Sequence, residues 1–296
     1  MTQPLLHVMI PVYGDSPYLE QTLVSILENL PRNIPVTIVE DPSDSKKVQV
    51  TIRKFSGRVS HVVNPVRLGV AGNFNKCVEL SSGVFTQIIG SDDLFLSNPE
   101  LLMIDKIKEG NSPVAFIPKA KVIYDTNFMS PADIFKAAIR PKIYRDRKVL
   151  ASSFAKTILI GAWPYFPSII WNTKFLLKNP FSSKFESAMD LELFVRMIGS
   201  NEILFYLTTF TISYRRHKES QSTVLLQTGK RFMEEFECHK KAMQISASKN
   251  LKIENFLAKW AVSLRLHTFW RAITLINKDP QKTRELIKLS YSKIKQ

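Results

Sequence analysis

Val36-Thr37-Ile38-Val39-Glu40-Asp41 and Phe85-Thr86-Gln87-Ile88-Ile89-Gly90-Ser91-Asp92-Asp93 share one pattern, an apolar run of strand length that ends on a pair of acids. Short apolar runs bounded by turn residues suit strands buried on both faces. In an open α/β sheet such strands deliver their last residues to one rim, and ligands bind in the crevice outside those carboxyl ends. Two acid pairs at that rim suit a ribose, a divalent cation or both. For either pair alone, capping the following turn is the plainer role.

On both sides of these runs, strands and helices alternate. Residues 7–12 (His-Val-Met-Ile-Pro-Val) read as a first strand. A helix follows, with Ser16 as cap, Pro17 at its first position, Leu19, Leu23, Ile26, Leu27 and Leu30 at helical spacing, and Pro31 as its stop. A short polar helix closing at Arg53-Lys54 separates the second strand from a third at 59–63. A helix over 71–80 leads to the fourth strand, and another runs from Asn98 and Pro99 to Gly110. This rhythm predicts a largely parallel sheet flanked by helices over the first ~110 residues.

The 296-residue chain, 45% hydrophobic, is long enough for one large domain with an appendage. Cys77 and Cys238 stand far apart, without metal-type spacing, so neither a disulfide framework nor a zinc site is expected. Residues 1–12 lack the charged start of a signal peptide, and the apolar stretch 157–171 is broken by Gly161, Pro164 and Pro167. A cytoplasmic protein without a spanning helix is the expectation. A net charge of +15, from 41 Lys and Arg against 26 Asp and Glu, favours anionic partners: nucleic acid, acidic lipid headgroups or phosphorylated substrates.

Five short motifs, in order, resemble a family 2 glycosyltransferase, the inverting, nucleotide-sugar-dependent class of the GT-A fold. They are Ile10-Pro11-Val12-Tyr13 with Tyr18-Leu19 and Leu23; Glu40-Asp41-Pro42-Ser43-Asp44; Asn64 with Leu68-Gly69, Asn73 and Asn75, leading to Asp92-Asp93; Ala188-Met189-Asp190-Leu191 running to Arg196; and Tyr214-Arg215-Arg216-His217 with Ser220 and Ser222. The resemblance implies a Rossmann-like, three-layer α/β/α domain with a mostly parallel central sheet. Residues 1–113 would form its nucleotide-sugar half and 114–222 its acceptor half, with a helical C-terminal extension at 223–296. It also implies donor contacts from Pro11, Tyr13, Asp41, Gly69, Asn73, Asp92 and Arg215, and a divalent cation, Mg²⁺ or Mn²⁺, on Asp92, Asp93 and His217. The catalytic base would be Asp190. Two positions depart from the family pattern: Gly90 replaces the first acid of the metal motif, and Met189 replaces the acid before the base.

The residue types suit the chemistry. Displacing a nucleoside diphosphate from an anomeric carbon builds negative charge on phosphate oxygens, which a hard cation stabilises as a Lewis acid. A sugar hydroxyl must lose its proton as it attacks, and a carboxylate within hydrogen-bond reach can take it. The plain alternative for Asp190 is a helix-start carboxylate favoured by the macrodipole.

Lys136, Arg140, Lys142, Arg145, Arg147 and Lys148 form a basic stretch, and residues 161–168 an aromatic loop broken by prolines. They suit a phosphorylated glycan acceptor or, equally, a solvated face and a core-packed loop. Three helices are expected at 231–248, 253–276 and 282–295. The middle one carries Phe256, Trp260, Phe269 and Trp270 among Lys259, Arg265 and Arg271. It either lies on an anionic membrane surface or packs on its own domain.

The leading reading is transfer of a sugar from a UDP- or dTDP-type donor to a glycan or lipid-linked glycan, in the cytoplasm or at the inner face of the cell membrane. A catalytically silent relative that binds nucleotide sugar or scaffolds glycan assembly is the second. Nucleic-acid binding rests on charge alone and lacks any reader motif. A nucleotidyltransferase lacks its Gly-rich loop, since residues 13–17 contain one glycine.

Overall fold

The computed structural model describes residues 3–110, 113–124, 134, 137–217, 225 and 228–294. The expectations placed on Lys136, Ser220, Ser222 and Lys295 fall outside these residues.

The first half alternates as the sequence requires: β1 (Leu6–Tyr13), α1 (Leu19–Asn29), β2 (Val36–Asp41), α2 (Lys47–Arg53), β3 (Ser60–Val63), α3 (Gly69–Leu80) and β4 (Phe85–Ile88). Then come β5 (Leu94–Phe95), α4 (Glu100–Lys108), β6 (Ala115–Tyr124), β7 (Arg147–Leu150), α5 (Ala151–Ile160), β8 (Ile170–Asn172), α6 (Thr173–Lys178), α7 (Met189–Arg196) and β9 (Ile203–Arg216). Four helices close the described chain: α8 (Lys230–Ser248), α9 (Lys252–Trp260), α10 (Val262–Leu275) and α11 (Pro280–Tyr291).

One sheet runs in the order β3-β2-β1-β4-β8-β6-β9-β5, with β7 pairing β9. The β3-β2-β1-β4 half is parallel throughout. Antiparallel pairs enter only where β8, β7 and β5 join. Strand β1 alternates between two cores: Leu6, Val8, Ile10 and Val12 pack with α1 residues such as Leu19 and Leu23, whereas Met9 points to the layer of α3, α5 and α7. Each such fully buried Val, Leu or Ile contributes roughly 1.5–3 kcal/mol, which fixes the register, because a slip by one residue would exchange the two faces.

Proline in an interior strand removes a ladder donor. Pro11 escapes that cost because β4 pairs β1 only over Leu6–Met9 and has turned away by Gly90. The same divergence opens the crevice beside β1.

Two helix limits differ from the sequence expectation. α1 starts at Leu19, and Ser16 turns its hydroxyl to the carbonyl of Ser91, 2.9 Å away, tying the β1 turn to the β4 turn. The single helix expected over 253–276 is two, broken at Ala261, which is fully buried with φ +43°. Arg265 Nε donates to the Trp260 carbonyl there and meets an acceptor that the break exposes. The aromatic loop is core: Trp163 and Tyr165 are buried, with Trp163 Nε1 donating to Thr157 Oγ1 at 3.0 Å. No helix among the described residues is long and apolar enough to cross a membrane.

α8 belongs to two cores. Its Cys238, Ala242 and Met243 pack with α7 and α5, while Phe232 and Phe236 join Leu264, Ala272 and Leu286 in a smaller cluster under α10 and α11.

Candidate active site

The carboxyl ends of β1, β2 and β4 meet at one rim, where Tyr13 and Asp41 are register partners. Asp41 is buried, and its carboxylate accepts from Leu68 N and Gly69 N at 3.1 and 2.9 Å and from Asn64 Nδ2 at 2.9 Å. Asn64 also donates to Asn73 Oδ1, and Asn73 Nδ2 donates to the Val39 carbonyl. Gly69, at φ +72°, supplies the left-handed turn that aims both N–H groups at Asp41. Asp41, Gly69 and Asn73 are therefore brought together as a clamp on the β3–α3 turn. With its oxygens engaged in this way, Asp41 sets the crevice wall rather than presenting a free carboxylate. What the turn leaves open is Tyr13, 51% exposed, with the Arg67 guanidinium 3.9 Å from its ring centre.

The second part of the rim depends on β9. Antiparallel pairing of Leu94 with Ser213 lays residues 215–217 beside Asp92-Asp93. Arg215 N donates to Asp93 Oδ1 at 2.9 Å, Arg215 Nε to the Asp92 carbonyl at 2.9 Å, and Arg215 Nη2 to Gln21 Oε1 at 3.0 Å. His217 Nε2 lies 2.8 Å from Asp92 Oδ2. Tyr18 packs against both side chains, its ring 4.3 Å from the Arg215 guanidinium and 5.0 Å from the His217 ring. Asp92 is partly open, but Asp93 is 1% exposed. Burial, together with the neighbouring Asp92 charge, raises the Asp93 pKa well above the usual carboxylate range.

Gly90 now has a reason. A Cβ there would stand 2.6 Å from Asp92 Oδ1 and 2.9 Å from Asp93 Oδ2, so a side chain at 90 would have to displace both carboxylates. Among the described residues no three His, Cys, Asp or Glu gather to hold a metal by themselves. The rim offers Asp92, His217 and the inner oxygen of Asp93, which faces Gly90 without a well-formed hydrogen bond. That sparse set fits a cation whose shell is completed by substrate phosphates.

Asp190 sits in the first turn of α7. The helix has Ala188 at its N-cap and no side-chain cap of its own. Buried Glu234 of α8 takes that role across 46 to 48 residues, accepting from Glu186 N, Ser187 N and Ala188 N at 2.8–3.1 Å and from Ser187 Oγ at 3.1 Å. Glu192, 1% exposed, is held by Arg196 and by Lys241 of α8. Arg231 of α8 pairs with Glu235 at 2.7 Å. Burial works against the Arg231 charge, yet Glu235 and Asp190 outweigh it and raise its pKa, with Arg216 opposing them. Arg231 thus feels the charges of Asp190 and Arg216 in opposite directions.

Sequence reasoning missed Arg67, Tyr18 as an aromatic support, Arg231 and Glu234. Arg67 lies inside the quoted Asn64–Gly69 motif, where a basic residue at a turn was a usable signal. Glu234 carried none, since only the packing of α8 on α7 gives it meaning.

A model of the family described as Glycosyl transferase family 2 matches residues 7–166. A curated relative from Escherichia coli, UDP-Glc:alpha-D-GlcNAc-diphosphoundecaprenol beta-1,3-glucosyltransferase WfgD, is 23% identical over 76% of this chain and 81% of its own length. Among solved structures, S. aureus TarS 1-349 in complex with UDP superposes with a TM-score of 0.64 at 16% identity, covering 96% of this chain and 78% of that one. Mannosyltransferase PcManGT from Pyrobaculum calidifontis, in complex with GDP-Man and Mn²⁺, gives 0.59 at 15% identity, covering 97% and 79%. Both structural likenesses establish the shared fold.

Proposed function

The chain belongs to glycosyl transferase family 2, and from that premise we propose that it moves a sugar, with inversion, from a UDP- or dTDP-type donor to a glycan or lipid-linked glycan at the inner face of the cell membrane. The observation that carries this reading is the β5–β9 pairing, which sets Arg215 and His217 on Asp92-Asp93 at the strand-end rim.

Each residue then has a task. The base stacks at the open Tyr13–Arg67 face beside Pro11, on a wall fixed by Asp41, Gly69 and Asn73. Arg215 and His217 meet the diphosphate from β9. Asp92, with His217 and the inner edge of Asp93, would hold Mg²⁺ or Mn²⁺, which when bound supplies Lewis-acid stabilisation of the leaving phosphate. Asp190 takes the proton from the acceptor hydroxyl. That oxygen bonds to the anomeric carbon as the bond to the diphosphate breaks on the opposite face, and no covalent enzyme intermediate is needed. The WfgD relative's diphosphoundecaprenol acceptor supports a lipid-linked acceptor here.

The test is a thermal-shift screen of nucleoside diphosphates and their sugars with and without Mg²⁺ or Mn²⁺, because a ligand bound only by the folded chain raises the midpoint. A cation-dependent shift with a uridine or thymidine diphosphate is expected, followed by donor turnover that Asp190→Asn abolishes. Absence of any shift would sink the reading. A shift without turnover on any acceptor would favour the silent relative, the reading motivated by Met189 and Gly90.

A further inference from the structure

α10 is apolar on two sides. Leu264, Thr268 and Ala272 face inward and are buried against the small C-terminal core. Val262, Leu266, Phe269, Trp270 and Ile273 recur at helical spacing on the outside, where Leu266 is 60% and Trp270 54% exposed. α9 adds Ile253, Phe256 and Trp260, the last two 59% and 53% exposed. The inward stripe is buried in the fold, whereas the outward one stays largely exposed among the described residues, and exposed apolar area of this extent marks a contact surface.

Charge selects its occupant. From Asn255 to Asn277 the sequence contains no Asp or Glu, only Lys259, Arg265 and Arg271. From Lys252 to the end, ten Lys and Arg stand against three acids. A second copy on a twofold axis would set this basic surface against itself with no acid on the face to pair it. A bilayer with anionic headgroups meets both features, because aromatic rings settle at the headgroup level, aliphatic side chains below it and lysines above it. A groove of about 910 Å³ opens on the same face, walled by Trp260, Leu266, Phe269 and Tyr291 with Lys259 and Lys293 at its edge. Its apolar walls suit one lipid chain, and its lysines suit that lipid's head.

We propose that the outward faces of α9 and α10, with this groove, dock the protein on an anionic lipid surface. The inference deepens the transfer reading and rests on it for the lipid-linked acceptor, while the docking itself needs no catalysis. The full chain is sedimented with vesicles of phosphatidylcholine alone and of phosphatidylcholine mixed with phosphatidylglycerol, beside Trp260→Ser/Trp270→Ser, whose side chains are too exposed to threaten folding. The expected result is binding to the mixed vesicles at least about tenfold tighter than to the neutral ones, weakened by salt and reduced about tenfold in the double variant. Equal binding to both vesicle types, or binding unchanged in the variant, overturns the proposal. So does self-association in solution that the variant disperses. The thermal shift with UDP, measured on the same samples, separates the two readings: a retained shift without vesicle binding sinks docking alone, and vesicle binding without a shift sinks the donor site alone.

Discussion

The β1–β2–β4 rim and the start of α7 each hold a carboxylate in place, and they do it over different distances and with different partners. At the rim, Asp41 is fixed by Leu68 and Gly69, 27 and 28 residues on, within the stretch that matches the family model. At α7, the turn before Asp190 is fixed by Glu234, beyond that stretch, through N–H groups that the α7 sequence leaves uncapped. The rim is a local construction of strand ends and one glycine turn, whereas the start of α7 is held by a helix that packs on it later in the chain. Helix α8 therefore fixes the backbone turn that precedes Asp190.

The sharpest way to break this contrast is Asp190→Asn, which keeps shape and helix start but removes the proton acceptor. Turnover should fall by about 10²–10⁴-fold while the UDP-induced thermal shift stays. Turnover that survives would remove Asp190 from the mechanism.

Next comes Glu234→Ala. It strands several buried N–H groups, so stability should fall on the order of 3 kcal/mol, read by urea denaturation, and kcat by roughly ten- to a hundredfold through misplacement of α7. The KM for the donor should barely move, and Glu234→Gln, which keeps one acceptor oxygen, should recover part of both losses. A donor KM that rises with kcat unchanged would mean that α8 serves the rim instead.

Two buried histidines extend the comparison to pH. His7, in β1, and His239, in α8, have pKa values lowered by burial to about 4. Their folded values lie below the ordinary 6.5, so each contributes stability that is present above pH 6.5 and lost as pH falls toward 4. In that window each adds a slope of about 1.4 kcal/mol per pH unit. His7→Gln and His239→Gln should each remove one such slope from a single cooperative melting transition. A second transition that carries only the His239 slope would show that α8 melts apart from the sheet.

The smallest effect is expected at the rim's open face. Arg67→Ala removes a partly exposed cation–π contact of about 0.5–1 kcal/mol, a roughly two- to fivefold loss in UDP affinity by titration calorimetry, with kcat unchanged.

Much of this was legible beforehand. The strand–helix alternation, the acids at the ends of β2 and β4, and the motif order 10–217 all show in local patterns, because burial imposes its period on neighbouring residues. Ser16 and Ala261 misled for one reason: each is a good local cap or helix former whose role a distant segment decided. Ser16 binds the Ser91 carbonyl and Ala261 is drawn into the C-terminal core. Of the two roles open to the aromatic loop, the structure takes the core-packed one, with Trp163 donating to Thr157 inside.

By itself, then, the sequence determined the layered α/β plan and which carboxylates end its strands, since hydrophobic period and turn residues act over a few positions. Tertiary structure alone decided that Arg215 and His217 sit on Asp92, across 123 and 125 residues, and that Glu234 caps α7. Hydrogen bonds over such separations form only after the chain has packed, so no local pattern announces them.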